Sequence, residues 1–104
     1  MHVQIVTFHL KDLSEEDYRQ ACEAEAPIFA EVPGLLSKVW LADRATNTYG
    51  GIYTWRDRAA MESYLHSDVF RAMETDSTLV DLTSRDFTVL EVPTRVTHGF
   101  VTAV

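Results

Sequence analysis

Two pairs of side chains near the middle of the chain have the residue types of a ligand pocket: Lys38 with Trp40, and Tyr53 with Trp55. One residue separates the members of each pair, the spacing that puts both on one face of an extended strand. Their rings supply broad apolar walls. The phenol, the indole N–H groups and the lysine amine supply the few polar tips that orient a small organic molecule. Tyr53 is a candidate catalytic residue, because a phenol can stabilise a developing anion; its alternative is a buried structural phenol. Trp40 and Trp55 are candidates for substrate contact, against the alternative of core packing. Lys38 is a candidate for meeting an anionic substrate, against a lysine that snorkels to water.

Histidines supply the acid–base candidates. His9 ends an apolar segment and shares a face with Val3, Ile5 and Thr7. By type it is the candidate general base, since an imidazole titrates near neutrality; otherwise it is a satisfied histidine of the core or rim. His66, on or just past the second predicted helix, would stand over the pocket as a further binding residue, or else as an exposed helix end. His2, His9, His66 and His98 form no close pair and no zinc or iron spacing. With no Gly-rich phosphate loop or dinucleotide fingerprint either, no cofactor is expected. Cys22 sits in an apolar stripe and reads as an inert core thiol. Asn47 reads as a turn residue.

The elements that must position these groups run strand, helix, strand, strand, helix, strand. Residues 3–10 are β-rich and apolar on both faces, which predicts a central strand covered on both sides. Ser14, followed by Glu15, Glu16 and Asp17, opens a helix with a stripe of Tyr18, Ala21, Cys22, Ile28, Phe29 and Val32. Pro27 predicts a kink or break there, and Pro33-Gly34 ends the element. Strands at about 35–42 and 49–56 flank the polar loop Asp43 to Thr48. A four-residue loop puts Trp40 opposite Gly51 and Lys38 opposite Tyr53, so that Lys38, Trp40, Tyr53 and Trp55 share one face. Gly51 would then make room for the Trp40 indole, with Gly50 relieving the crowding beside it. Asp57 caps a helix with Met61, Tyr64 and Leu65 on one face, and Ser67-Asp68 opens another turn through Phe70 and Met73. Residues 86–92 read as the last strand, stopped by Pro93. The segment 77–84 is ambiguous, and the tail from Val96 is an edge strand or an arm onto a partner.

Composition narrows the classes. The chain has 104 residues, 46% of them hydrophobic, which suits a single globular domain. Its formal charge of −7 argues against nucleic acid and anionic membranes as partners. No apolar run approaches the ~20 residues that span a bilayer. The chain opens directly into a strand pattern and carries a single cysteine, so a cytoplasmic location is expected.

The β-α-β-β-α-β order is the ferredoxin-like α+β arrangement, an antiparallel sheet with its helices on one face. Strands this poor in polar residues predict that the other face packs on a second copy, giving a homodimer. The run PGLLSKVWL, the polar hairpin, GGIYTW and the helix containing YL resemble the YdhR-like monooxygenases of the dimeric α+β barrel superfamily, most clearly over residues 33–66. That resemblance implies a homodimeric barrel with one pocket per subunit between sheet and helices. It also implies oxidation of an aromatic or polyketide-like molecule with O₂, often without metal or flavin. Haem-binding relatives in the same superfamily place a ligating histidine on the helix that here carries His66. A non-catalytic ligand-binding module and a haem protein are the competing classes, because one fold hosts many functions.

Overall fold

Alternation along β1 (His2–Leu10) sends His2, Gln4, Val6 and Phe8 to a buried face and leaves Val3, Ile5, Thr7 and His9 half-exposed on the other. Within the chain the strand is thus covered on one side, where its composition predicts cover on both. The computed structural model describes residues 1–100. Helix α1 (Glu15–Ala30) begins at Ser14, whose hydroxyl accepts from the Asp17 amide at 3.1 Å. Pro27 does not end it. The proline and Glu23, whose carbonyl loses its N–H partner, are both exposed, so that carbonyl is open to water.

The hairpin of β2 (Leu35–Asp43) and β3 (Thr48–Trp55) turns through Asn47, which adopts a φ of 51°. Helix α2 (Arg58–Leu65) is capped by Asp57 and α3 (Asp68–Thr75) by Ser67. Strand β4 (Leu79–Thr88) and helix α4 (Glu91–Val96) follow. The strands pair antiparallel in the order β2-β3-β1-β4, the ferredoxin-like fold with its second helix divided at Ser67. Among the described residues no helix is long and apolar enough to cross a membrane.

The C-terminal third departs from the sequence pattern. The last strand covers 79–88, not 86–92, and takes in most of the segment that reads as ambiguous. Its alternation is hidden by a bulge: the β1 register shifts between Thr7 and His9, and Asp81 opposite adopts a φ of 57°. β4 stops at Thr88 because its partner runs out there, with His2 opposite Thr88. Pro93 then lies inside α4 rather than after a strand. It occupies the first turn, where its missing N–H has no intrahelical partner to lose. The tail expected as an edge strand or arm begins as the last turn of α4, and residues 101–104 lie outside the described residues.

Between sheet and helices lies an aromatic layer of Phe8, Phe29, Tyr49, Tyr53, Trp55, Tyr64 and Phe70, all buried. Trp55 is completely buried, donates its indole N–H to Gln4 Oε1 at 2.9 Å and stacks on Tyr53 with ring centroids 5.9 Å apart. Two glycines admit this layer. Gly50 holds a φ of 147°, and a Cβ there would overlap the Val6 carbonyl oxygen, so β3 can run this close to β1 only without a side chain. At Gly51 a Cβ would stand 3.0 Å from Lys38 Cε. The space left at Gly51 is therefore filled by the lysine stem, not by the Trp40 indole that the register predicts there.

Gly50→Ala should cost about 3 kcal/mol or more, combining strain at positive φ with overlap on backbone. Gly51→Ala should cost less than about 2 kcal/mol, because the Lys38 stem can yield. Urea denaturation of both variants checks the ranking, and equal losses would contradict it.

Candidate functional site

The edge strand β2 carries Lys38 and Trp40 on its helix-facing side. There Lys38 pairs with Tyr53 and Trp40 with Gly51, the register that a four-residue loop requires. Opposite them α1 presents Tyr18, Cys22, Glu25 and Phe29, spaced to share one helical face. The Lys38 amine lies 3.3 Å from the centroid of the Phe29 ring, 3.5 Å from that of Trp40 and 4.7 Å from that of Tyr53. Phe29 and Trp40 meet edge to face at 5.3 Å and close the cage. Among the described residues no ion pair or hydrogen bond holds this amine, so the ring faces are its only fixed partners.

The caged amine borders an inner cavity of about 40 Å³, walled by Phe8, Tyr18, Cys22, Glu25, Phe29, Trp40, Tyr53, Met73 and Leu79. Glu25, Phe29, Met73 and Leu79 are also walls of an outer cleft of about 240 Å³ between α1 and α3. On the other flank of α1, Tyr18, Cys22 and Trp40 face a third space of about 150 Å³. Larger spaces thus share walls with the amine's small cavity on both flanks of α1, and most of those walls are apolar.

Burial dominates the electrostatics. It lowers the Lys38 amine from its ordinary 10.5 to about 7, with Cys22 and Glu25 opposing the shift. Burial also pushes up Tyr18, Tyr53 and the Cys22 thiol, and raises Tyr64 to about 12, so these groups stay protonated at neutral pH. The Tyr64 hydroxyl donates to Met73 Sδ at 3.6 Å and stands 3.3 Å from the Tyr53 hydroxyl, which leaves Tyr53 to donate to Tyr64. The Tyr53 phenol proton therefore points toward the helices, while its ring walls the cavity.

The structure brings Lys38, Trp40 and Tyr53 together and leaves the other candidates apart. Trp55 shares the sheet face but lies deeper, in the core against Gln4 and Tyr64. His9 stands on the opposite face of the sheet, where its Nδ1 meets the Asn47 carbonyl oxygen at 2.7 Å. His66 is exposed at the C-terminal end of α2. Among the described residues no histidine lines these cavities, and no three His, Cys, Asp or Glu side chains gather as a metal site. Glu25, Phe29 and Met73 are pocket residues that sequence reasoning did not single out as such. Glu25 was detectable as an acid inside the apolar stripe of α1; Met73 was not, because its placement depends on how α3 docks.

A family model described as "Putative mono-oxygenase ydhR" matches residues 3–100. A putative antibiotic biosynthesis monooxygenase from Deinococcus radiodurans superposes with a TM-score of 0.73 at 18% identity, over 88% of this chain and 95% of that one. SnoaB, a cofactor-independent oxygenase from Streptomyces nogalater, superposes with a TM-score of 0.66 at 21% identity, over 88% and 95% of the two chains. The haem degrader MhuD from Mycobacterium tuberculosis, with two haems in its active site, gives 0.68 at 14% identity, over 86% and 96%. At such identities the likeness establishes the fold. No significant match is found among curated proteins.

Lys38 gives the site a signature in stability. Between about pH 7 and the ordinary 10.5 the unfolded chain holds a proton on Lys38 that the folded chain has released, so Lys38 should make stability rise with pH, opposed above 9.0 by the Cys22 thiol, which ionises first in the unfolded chain. Above pH 10 the unfolded tyrosines ionise while buried Tyr18, Tyr53 and Tyr64 cannot, and stability should fall. Urea denaturation of Lys38→Met should lose the rise and keep the fall. A rise that persists in the variant would belong to another group.

Proposed function

The chain belongs to the ydhR mono-oxygenase family, and we propose that it is a small monooxygenase that oxidises an aromatic or polyketide-like molecule with O₂ and without a resident cofactor. The observation that carries this reading is the aromatic-walled cavity beside Lys38, which adjoins larger clefts on both flanks of α1. A flat substrate ring would lie in the larger clefts, against Phe29 on one flank of α1 or Trp40 on the other. The apolar walls exclude the water that would quench a reactive anion.

The chemistry needs little from the protein beyond deprotonation and shelter. Loss of a proton turns a hydroxyarene or its keto tautomer into an electron-rich anion. That anion passes one electron to O₂, and the radical and superoxide recombine into a peroxide at carbon. Loss of water leaves a carbonyl, so a CH₂ group and O₂ become C=O and H₂O. Tyr53 and Trp40 orient the substrate ring in this scheme. His9, the candidate base by residue type, faces away from the cavity. A haem reading through His66 lacks its geometry, since that imidazole stands exposed at the end of α2.

A homodimer completes the proposal. The sheet face opposite the helices carries Val3, Ile5, Val39, Ile52 and Phe87, with Val39 56% and Phe87 46% exposed in the single chain. A two-fold sheet-on-sheet interface would bury them.

An anthrone-like or quinol-like substrate should give O₂ consumption that survives chelator. Tyr53→Phe should keep the pocket volume while removing the hydroxyl and lower the rate; an unchanged rate would make the phenol structural. Saturable binding without O₂ uptake across a broad aromatic panel would favour a binding module. Sedimentation at micromolar concentration should give about twice the 11.8 kDa chain mass, and a monomer would remove the sheet-face dimer.

A further inference from the structure

We propose that the Lys38 amine is the proton acceptor of the site and the counter-ion of the anion it creates, so that the substrates are weakly acidic aryl or enol hydroxyl compounds that enter uncharged. This rests on the reading of the cavity beside Lys38 as the substrate site.

Three observations support the assignment. Lys38 Nζ is the cationic group at the cavity wall, held on ring faces rather than by a carboxylate. Its positive charge is therefore not already neutralised, and an aryloxide beside it would complete an ion pair at low cost in rearrangement. The apolar walls disfavour entry of a charged ligand but admit a neutral one. Proton transfer inside the site then converts ArO–H and H₂N–Lys38 into ArO⁻ and H₃N⁺–Lys38, with no change in net charge and no further reactant.

Neighbouring groups leave this role to the amine. From α1 it is faced by Tyr18, Cys22 and Glu25, and from β3 by Tyr53; β1, α3 and the start of β4 contribute Phe8, Met73 and Leu79, which do not titrate. Burial keeps the tyrosines and the thiol protonated, whereas it frees the amine to exist uncharged near pH 7. Glu25 also borders the outer cleft. Acid–base candidates elsewhere in the chain do not reach this cavity: His9 is on the other sheet face, and buried His2 is held by Asp86 at 2.6 Å.

The test uses 4-nitrophenol under anaerobic conditions, where oxygenation cannot contribute and the coloured aryloxide reports deprotonation directly. At pH 7, where the amine is about half uncharged, wild-type protein should bind the phenol saturably and add an aryloxide band beyond that of the free ligand. Lys38→Met should bind it without the band, and Lys38→Arg, permanently charged, should bind only the aryloxide already present in solution. Circular dichroism confirms that each variant is folded. An undiminished band in Lys38→Met overturns the proposal, as does wild-type protein that binds no phenol or binds it without the band. In air, with an oxidisable hydroxyarene, Lys38→Met should lose ~100- to 10,000-fold in rate, the range of a general base. A Lys38-dependent band with no O₂ uptake by wild type would leave the proton acceptor standing and remove the oxygenase reading. O₂ uptake insensitive to Lys38→Met would do the reverse.

Discussion

Sheet and helices are held together by one aromatic layer, and the site exists because that layer cannot close completely. Trp55, Tyr53, Tyr64, Phe29 and Trp40 touch in sequence, stacked, tilted or edge to face, with centroids 5.1 to 6.2 Å apart. Planar rings in such contacts bury much surface but fill irregular space poorly compared with branched aliphatic side chains. Toward the sheet centre the gaps are taken up by Val6, Met61 and Phe70. Toward the β2 edge the stem of Lys38 and a small cavity occupy part of the space.

That placement couples packing to electrostatics. The lysine stem runs over Gly51, and its amine ends on three ring faces with no ion-pair partner among the described residues. Cation–π attraction offsets only part of the hydration that the ammonium gives up, so burial dominates and the charge is easily surrendered. Elsewhere the polar groups of this face are matched. Trp55 donates to Gln4, Gln4 to Ser84, Tyr49 to Glu15, and Arg44 pairs with the same Glu15. This satisfied periphery surrounds an amine that has no hydrogen-bonded partner among the described residues, the feature that supports the proposed ligand site.

The two clefts on either side of α1 extend this argument from packing to access. Residues Tyr18, Cys22, Glu25 and Phe29 belong to one face of that helix and border both the cavity and its neighbours, so α1 is a roof whose position sets the size of the site. Pro27 lies in the last turns of this roof without ending it, because its side of the helix is solvent. The family match covers the whole of this apparatus, from β1 through α4.

Much of this was legible in the sequence, and the limits have a physical origin. Strand alternation, Ser14, Asp57 and Ser67 as caps, and the four-residue hairpin loop are local constraints, and together they determined the element order, the α+β class and the pairing of Lys38 with Tyr53. What depended on contacts distant in sequence was not determined. The β4 bulge at Asp81 disguised a strand, and Pro93 suggested a strand end although the strand had already run out of partner at His2. His9 has the ordinary chemistry of a base, and Lys38 does not. Which of them borders the cavity depends on which sheet face the helices cover, and the proton affinity of the amine there on how deeply three rings bury it. Residue type sets a side chain's intrinsic proton affinity, but only the tertiary structure removes the water that holds it there.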